Sequence, residues 1–355
     1  MLKTGQIIKV LIVEDTLVGQ GLLKGLLADD PAFEVVGIAH NGKQAVEFVA
    51  RSLPDVVSMD IYMPIMDGVE ATRLIMQNTP VPIVIVSSFY NTSEIKMSFS
   101  ILEAGALTIL PRPFGPGHPQ YTQTARNYRN TLKMMSTVKV QARRAGASAP
   151  LSARGLPDTE RSRSVNAKII AIGASAGGPQ AIQVILNQLP QDIPVPIMIV
   201  QHIDAHFAEG YVDWLNATSN LPVHIASDRK VMLPGHVYLP PGDFHLGLHQ
   251  DGVIALSKNP PEKSLRPAVS FLFRQVNTVY GKNSMCILLS GMGTDGAIEL
   301  KILRDTGACT IAQNEQSALV HGMPGEAIRL GGASMVLSPD EIVHEIIRMS
   351  NIKNA

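Results

Sequence analysis

The first third of the chain alternates between short apolar runs and stretches whose apolar residues recur with helical spacing. Five runs are typical of buried strands: Ile7–Val13, Phe33–Ala39, Val56–Met59, Ile83–Val86 and Ala106–Leu110. Five stretches are typical of amphipathic helices: Leu17–Ala28, Gly42–Arg51, Val69–Gln77, Ser93–Ala104 and Gln120–Met135. Strands that alternate with helices in this way predict a parallel sheet with helices on both faces, a doubly wound α/β domain.

The alternation resumes after residue 168 and predicts a second doubly wound, Rossmann-like α/β domain. Its buried strands are predicted at Ile169–Ile172, Val195–Val200, Met285–Leu289 and Thr310–Gln313. Helical spacing is found at Pro179–Leu189, Phe207–Ala217, Ser270–Val279 and Gly296–Asp305, and Glu326–Leu330 and Asp340–Met349 complete the α/β pattern. Four short extended pieces separated by Pro and Gly predict a β-hairpin excursion: Val223–Ala226, Val237–Leu239, His245–Leu248 and Val253–Leu256.

Between the two patterns the composition changes, because large apolar residues become scarce and Ala, Ser, Arg and Pro dominate. We expect a domain at 1–132, a linker at 133–166 and a second domain at 167–355. A length of 355 residues fits two domains, and 45% hydrophobic residues exclude a largely disordered chain. The linker region is basic, and we favour a solvated tether over an interaction arm.

The formal net charge of zero hides an uneven distribution. Residues 1–132 carry a charge of −2, residues 133–168 carry +6, and the remainder carries −4. Neither predicted domain is basic, which argues against nucleic-acid binding. Cys286 and Cys309 lie in apolar runs, which is typical of buried free thiols in a reducing compartment. No uninterrupted apolar run is long enough to span a membrane, so we expect a cytoplasmic protein without membrane insertion.

In the first predicted domain, polar side chains follow the strands at the edge where ligands bind in open parallel sheets. Glu14 and Asp15 follow the first strand, Asp60 follows the third, Ser87 the fourth and Arg112 the fifth. Three carboxylates at one edge form an oxygen site suited to Mg²⁺. An Asp can also accept a phosphoryl group, whose oxygens a hydroxyl and a cation could then bind.

The run VVSMDIYMPIMDG makes this region resemble the receiver domain of two-component response regulators, which has a flavodoxin-like fold. The resemblance covers about residues 7–130. It implies that Asp60 is the phosphoacceptor and that Glu14, Asp15 and Asp60 surround Mg²⁺. One departure is Arg112, since the family has Lys just before the last Pro. Arg and Lys are not interchangeable at a phosphate site, so this change bears on the efficiency of the switch.

In the second predicted domain, three residues suited to acyl transfer each follow a separate buried strand. Ser175 lies in Gly-Ala-Ser-Ala-Gly, a nucleophile-elbow pattern between a strand and a helix. His202 ends the next strand, and Asp295 follows the strand Met285–Leu289. This arrangement predicts a Ser-His-Asp site. The order of the three differs from that of α/β-hydrolases. A metal site on His202 and His206 is the alternative, although no third ligand is obvious.

Six stretches resemble the CheB family, the protein-glutamate methylesterases of bacterial chemotaxis: IGASAGGP, VQHI, YLPPGDFHL, LRPAVSFLF, LLSGMGTDGA and AQNEQSALVHGMPGEAI. The resemblance covers about residues 168–350. It implies that Ser175, His202 and Asp295 form a catalytic triad and that the backbone amide of Met292 lies in the oxyanion hole. The triad needs no cofactor.

Two departures from this family concern the surroundings of the site. The family often has Thr after the nucleophile, where this chain has Ala176, and a basic residue after Gly-Met-Pro, where it has Gly325. The first change bears on the surroundings of the nucleophile and the second on substrate contacts.

The resemblance implies a phosphorylation-regulated hydrolase acting on methyl-accepting chemotaxis receptors. It would release methanol from glutamate methyl esters and deamidate receptor glutamines. A chemotaxis histidine kinase would phosphorylate Asp60, and we hypothesise that the receiver covers the Ser175 cleft until then. Two alternatives are a non-catalytic response regulator whose second domain only binds a partner, and a metal-dependent hydrolase built on His202 and His206.

Overall fold

The structure is a computed structural model. It describes residues 7–87, 99–138, 140, 167–250 and 252–349. Most of the predicted linker 133–166 lies outside these residues, as does the first half of the predicted helix Ser93–Ala104. The proposed bounds of the two domains and the linker therefore stay a prediction.

The chain divides into two compact units, Met1–Gly146 and Ala147–Ala355. The strands of the first unit are β1 (Ile8–Val13), β2 (Phe33–Ala39), β3 (Val56–Met59), β4 (Ile83–Ser87) and β5 (Thr108–Pro111). Its helices are α1 (Leu17–Ala28), α2 (Gly42–Arg51), α3 (Gly68–Asn78), α4 (described over 99–104) and α5 (Tyr121–Met135). The strands form one parallel sheet in the order β2-β1-β3-β4-β5, which confirms the predicted flavodoxin-like fold.

Local side-chain contacts fix where the loops of this sheet end. Helices α1, α2 and α3 each begin after a side chain that accepts a backbone N–H three residues further on; these side chains are Thr16, Asn41 and Asp67. Helix α5 is joined to the sheet by the fully buried Tyr128 hydroxyl, which donates to Ser58 Oγ at 3.0 Å. The loops that follow β1, β2 and β3 therefore each end at a capped helix.

The second unit contains nine strands and six α-helices among its described residues. The strands are β6 (Ile169–Ala174), β7 (Ile197–Gln201), β8 (Val223–Ile225), β9 (Val237–Leu239), β10 (His245–Leu248), β11 (Ile254–Ser257), β12 (Ser284–Leu288), β13 (Cys309–Gln313) and β14 (Met335–Leu337). The helices are α6 (Gly178–Gln188), α7 (Ala208–Thr218), α8 (Val269–Val279), α9 (Ala297–Thr306), α10 (Met323–Arg329) and α11 (Pro339–Met349). Short 3₁₀ turns occupy Ala205–Phe207 and Gly281–Asn283.

Seven of these strands form a second parallel sheet in the order β14-β13-β12-β6-β7-β9-β8, which confirms the predicted class. The hairpin excursion is smaller than predicted, because only β10 and β11 pair antiparallel. Strands β8 and β9 join the main sheet instead; each is only three residues long, so its sequence does not reveal its neighbour. Strand β14 was not predicted, since its three residues are half-buried or exposed and lack an apolar run.

The central strands β6, β7 and β12 are buried along their whole length. Strand β6 lies between the other two. The chain adds β7, β9 and β8 on one side of β6 and later adds β12, β13 and β14 on the other side. This is a topological switch point, where the carboxyl ends of neighbouring strands form a crevice. Among the described residues, no helix is both long enough and apolar enough to cross a membrane.

Removing core volume from β12 tests how strongly this sheet supports the second unit. We expect Ile287→Ala, at a fully buried position, to lower the free energy of unfolding by about 2–5 kcal/mol because it leaves a cavity. The same change at Ile298, which is 52% exposed on α9, should cost less than about 0.5 kcal/mol. Urea unfolding followed by the fluorescence of Trp214, the single tryptophan and a residue of this unit, measures both; equal losses would contradict the assignment of the core.

Candidate active site

Ser175 lies at the carboxyl end of β6, in the turn that leads into α6. The turn requires a glycine at Gly177, whose φ of 76° belongs to the left-handed region. A Cβ at this position would also lie 2.6 Å from Leu319 Cβ and from Ser290 Oγ. The sequence therefore forms a tight strand-to-helix turn in which Ser175 is half-buried, with the start of α6 directly behind it.

His202 and Asp295 meet at the same edge of the sheet. His202 directly follows β7, and its backbone N–H donates to Ala174 O at 2.9 Å. Its Nε2 lies 2.9 Å from Asp295 Oδ2, and the two side chains are 10% and 3% exposed. The structure thus pairs these two predicted residues next to the Ser175 turn. The described residues show no hydrogen bond between Ser175 Oγ and His202; in unliganded sites such bonds are often long.

Asp295 is held as a carboxylate by the donors around it. Its two oxygens accept the backbone N–H groups of Val269, at 2.6 Å, and Ser270, at 3.0 Å, which belong to the first turn of α8. Burial on its own would raise the pKa of this carboxyl. The hydrogen bond and charge of His202 and the hydrogen bond from Ser270 outweigh burial and lower the pKa to about 2. An ionised Asp295 orients the imidazole and leaves Nδ1 as the ring nitrogen free to take a proton.

The loop after β12 passes close to the serine. A Cβ added to Gly291 would lie 2.9 Å from Ser175 Cβ, so the two backbones are in close contact. Gly291 O accepts the N–H groups of Gly322 and Met323, at 3.0 and 2.8 Å, which fixes this loop. Within the described chain, the N–H of the next residue, Met292, has no protein acceptor. The role of the Met292 N–H as an oxyanion donor stays a prediction.

Two buried polar side chains beside the serine were not identified from the sequence. Gln201 is 4% exposed, and Ser290 is fully buried. Gln201 Nε2 donates to Ser175 O at 2.8 Å, and Ser290 Oγ donates to Ala176 O at 2.7 Å. Their positions at the ends of β7 and β12 could have drawn attention to them, but Gln and Ser at strand ends are too common to indicate such a role.

The two departures from the family pattern differ in their surroundings. Ala176 is buried in the serine turn and brings no hydroxyl to it. A Cβ at Gly325 would lie 3.0 Å from His321 Nδ1, so a larger residue here would require the His321 ring to move. The absence of a basic residue at position 325 therefore leaves room for this histidine.

The structure gives no support to a metal site on His202 and His206. His206 lies in the 3₁₀ turn after β7, so the two residues do not share one face of an α-helix. Its side chain is 80% exposed, and Nδ1 lies 2.7 Å from Asp204 Oδ1. In the described part of the chain, no further His, Cys, Asp or Glu completes a cluster of three with this pair.

The first unit brings its three predicted carboxylates together. Ligand oxygens of Glu14, Asp15 and Asp60 all lie within 4.8 Å of one another. Burial raises the pKa of Asp60 to about 6; the charge of Arg112 opposes this rise and that of Glu14 adds to it. Three clustered oxygen donors match the preference of Mg²⁺, and a divalent cation would relieve the repulsion among them. The residues present therefore fit the predicted ion.

Arg112 compensates two of these carboxylates. Its Nη2 lies 2.5 Å from Glu14 Oε2 and 2.8 Å from Asp60 Oδ2. The backbone N–H of Arg112 donates to Ser87 O at 2.9 Å, which connects the ends of β4 and β5. All five predicted residues of this unit thus lie at one edge of its sheet. The guanidinium group of Arg112 contacts the acidic cluster directly.

Comparison with known proteins agrees with both units. A family model described as "CheB methylesterase" matches residues 170–346, and one described as "Response regulator receiver domain" matches residues 10–119. A solved structure of the CheB methylesterase catalytic domain from Thermotoga maritima aligns with a TM-score of 0.50 and 36% identity. The match covers 52% of this chain and all of that one.

Curated relatives match almost the whole chain. A protein-glutamate methylesterase/protein-glutamine glutaminase from Geobacter metallireducens is 50% identical over 337 residues, which cover 95% of this chain and 97% of that protein. A protein of the same name from Nitrosospira multiformis is 47% identical and covers 94% of this chain and 95% of its own length. The receiver and CheB resemblances noted in the sequence are therefore confirmed.

The charge of Asp295 should contribute to stability in a pH-dependent way. Its folded pKa of about 2 lies below the unfolded value of about 3.9, so the contribution is present above pH 4 and is lost as the pH falls from about 4 to 2. We expect Asp295→Asn to cost about 2 kcal/mol at pH 6, and less as the pH falls towards 3. Urea unfolding followed by Trp214 fluorescence at pH 6, 4 and 3 measures this, with the exposed Asp192→Asn as control. A cost independent of pH would contradict the prediction.

Proposed function

The chain belongs to the CheB methylesterase family, and we propose from this premise that it hydrolyses the γ-methyl esters of glutamate residues in chemoreceptors and releases methanol. The observation that carries the proposal is the His202–Asp295 pair, 2.9 Å apart, beside the Ser175 turn at the switch point of the sheet. This is the combination of base, orienting carboxylate and nucleophile that acyl transfer needs.

In the proposed mechanism, Ser175 Oγ attacks the ester carbonyl carbon while His202 accepts the serine proton at Nδ1. Asp295 remains ionised, stabilises the imidazolium through Nε2 and holds the ring in place. The carbonyl oxygen becomes an oxyanion, to which the backbone N–H of Met292 donates. His202 then returns the proton to the methoxy group, and methanol leaves an acyl-enzyme at Ser175.

Water completes the cycle. His202 takes a proton from the attacking water, the second tetrahedral intermediate collapses, and this proton passes to Ser175 Oγ; the glutamate leaves as the acid and releases its remaining proton to water. The same steps applied to a glutamine side chain expel ammonia instead of methanol, which is the proposed deamidation. Neither reaction needs a cofactor in the second unit.

In the first unit, we propose that Asp60 accepts the phosphoryl group from a chemotaxis histidine kinase. Glu14, Asp15 and Asp60 would hold Mg²⁺, which neutralises negative charge around the phosphoryl oxygens when it is bound. Arg112 already bonds to Asp60 Oδ2, so a phosphoryl group on Asp60 would find this cation next to it. Ser87, at the end of the neighbouring strand β4, would bind a phosphoryl oxygen.

The pairing of these two units leads us to propose that phosphorylation of Asp60 raises the rate of ester hydrolysis. The receiver at 1–132 would act on the esterase at 167–355 through the linker 133–166. The substrates would be the cytoplasmic parts of methyl-accepting receptors, which places the proposed activity in the cytoplasm. A partner-binding regulator without catalysis is the competing possibility that the first experiment below tests.

Removing the nucleophile should abolish hydrolysis. We expect Ser175→Ala to lower methanol release from methylated receptor preparations to below about one-thousandth of the wild-type rate, because the proposed acyl-enzyme forms on the hydroxyl that this change removes. Ser219→Ala, at another half-buried serine, should retain the wild-type rate. Methanol release is measured directly, together with labelling of Ser175 by a fluorophosphonate. Wild-type protein that releases no methanol would favour the partner-binding alternative.

Phosphorylation should depend on one carboxylate. With acetyl phosphate and Mg²⁺, we expect the full chain to gain a phosphoryl group and to hydrolyse ester faster, and we expect Asp60→Asn to lose both responses. Asp67→Asn is a matched control, because Asn caps a helix as well as Asp and α3 should stay intact. Intact mass and methanol release are the two measurements. Phosphate incorporation in Asp60→Asn would show that another residue is the acceptor.

A further inference from the structure

We propose that Ser290 and Gln201 are positioning residues that hold the Ser175 turn from its two sides. The inference rests on the proposed function, since it concerns the geometry of the same site. Neither side chain contacts the substrate in the mechanism above. Each instead bonds to the backbone of the serine turn, and each belongs to a segment that carries another part of the machinery.

Ser290 joins three segments through a fully buried hydroxyl and its own backbone. Its Oγ donates to Ala176 O at 2.7 Å and accepts the N–H of Val320 at 3.0 Å. Its carbonyl oxygen accepts the N–H of Ser175 at 3.0 Å. Its N–H donates to the buried Gln313 Oε1 at 2.7 Å, which ties it to the neighbouring strand β13. Ser290 therefore bonds to the serine turn both through its side chain and through its main chain.

Gln201 holds the other side of the turn. Both hydrogens of its amide are used, because Nε2 donates to Ser175 O at 2.8 Å and to His202 O at 3.0 Å. One buried amide thus connects the backbone of the proposed nucleophile to that of the proposed base. Ser175 O also accepts the N–H of Gly178 at 2.8 Å.

These contacts fix both peptide groups of Ser175. Ser290 lies two residues before Met292, so its bonds set the distance between the serine and the oxyanion donor. Gln201 directly precedes His202, so its bonds set the distance between the serine and the base. Small displacements of reacting groups can cost about 100-fold in rate without changing substrate contacts. Loss of the side-chain hydrogen bonds of either Ser290 or Gln201 should therefore lower kcat and leave KM almost unchanged.

A matched pair of serine substitutions tests Ser290 in the full chain. Ser284 is also fully buried and also donates to a backbone carbonyl, Gly281 O, at 2.7 Å, but it lies at the opposite end of β12. Each Ser→Ala change removes a hydroxyl that donates to a backbone carbonyl, and Ser290→Ala also removes the acceptor of the Val320 N–H, so we expect it to lower the Trp214 unfolding midpoint somewhat more than Ser284→Ala does. We expect Ser290→Ala to lower kcat for methanol release about 10- to 100-fold with KM within twofold, and Ser284→Ala to keep both constants.

Gln201→Met is the second arm, since Met has nearly the same volume and no amide donor. We expect a fall in kcat similar to that of Ser290→Ala, again without a change in KM, and slower labelling of Ser175 by a fluorophosphonate. The inference is overturned if Ser290→Ala and Ser284→Ala have equal kcat, or if the losses appear in KM. A wild-type chain without methanol release would instead overturn the proposed function, so the two failures are distinguishable.

Discussion

The position of β6 between β7 and β12 is the constraint on which the active site depends. Ser175, His202 and Asp295 are far apart in the chain, and they meet because parallel strands end at the same edge of a sheet. The backbone bond from His202 N to Ala174 O keeps the ends of β6 and β7 in register. The bond from Leu289 N to Gly173 O does the same for β6 and β12. The site is thus an extension of the sheet's hydrogen bonding into three loops.

The loops beyond the strands need their own support, because backbone groups buried there have no neighbouring strand to pair with. The fold supplies this support with buried polar side chains and with helix starts. Ser290 and Gln201 bond to the serine turn, and the first turn of α8 donates two N–H groups to Asp295. Each buried donor satisfies a main-chain or carboxylate oxygen that would otherwise be costly to bury. The same contacts that stabilise the loops therefore also define the distances between reacting groups.

The sequence was sufficient to predict the parts of this arrangement that have a local signature. Long apolar runs located β6, β7 and β12 to within two residues at their carboxyl ends, and Ser175, His202 and Asp295 in the loops beyond these runs then predicted the site. The contacts of Ser290 and Gln201 have no such signature, since they depend on which strands become neighbours. The same reason explains the misplaced β8 and β9, whose short segments fit a hairpin or a parallel sheet equally well. Register and neighbour choice are properties of the whole sheet.

The two units show how surroundings give one residue type two electrostatic roles. Asp60 and Asp295 are both buried residues in loops that follow strands, and burial raises the pKa of each. Asp295 receives donors from His202 and from α8, so its pKa falls to about 2 and its charge is permanent, as a residue that orients a base requires.

Asp60 accepts one backbone N–H, from Ile61, and shares Arg112 with Glu14. Burial raises its pKa to about 6, because the charge of Arg112 offsets only part of the rise and the charge of Glu14 adds to it. A buried carboxylate with an incompletely compensated charge favours the arrival of a divalent cation, whereas a fully compensated carboxylate favours a fixed geometry. The difference follows from the number of donors that each sheet edge provides.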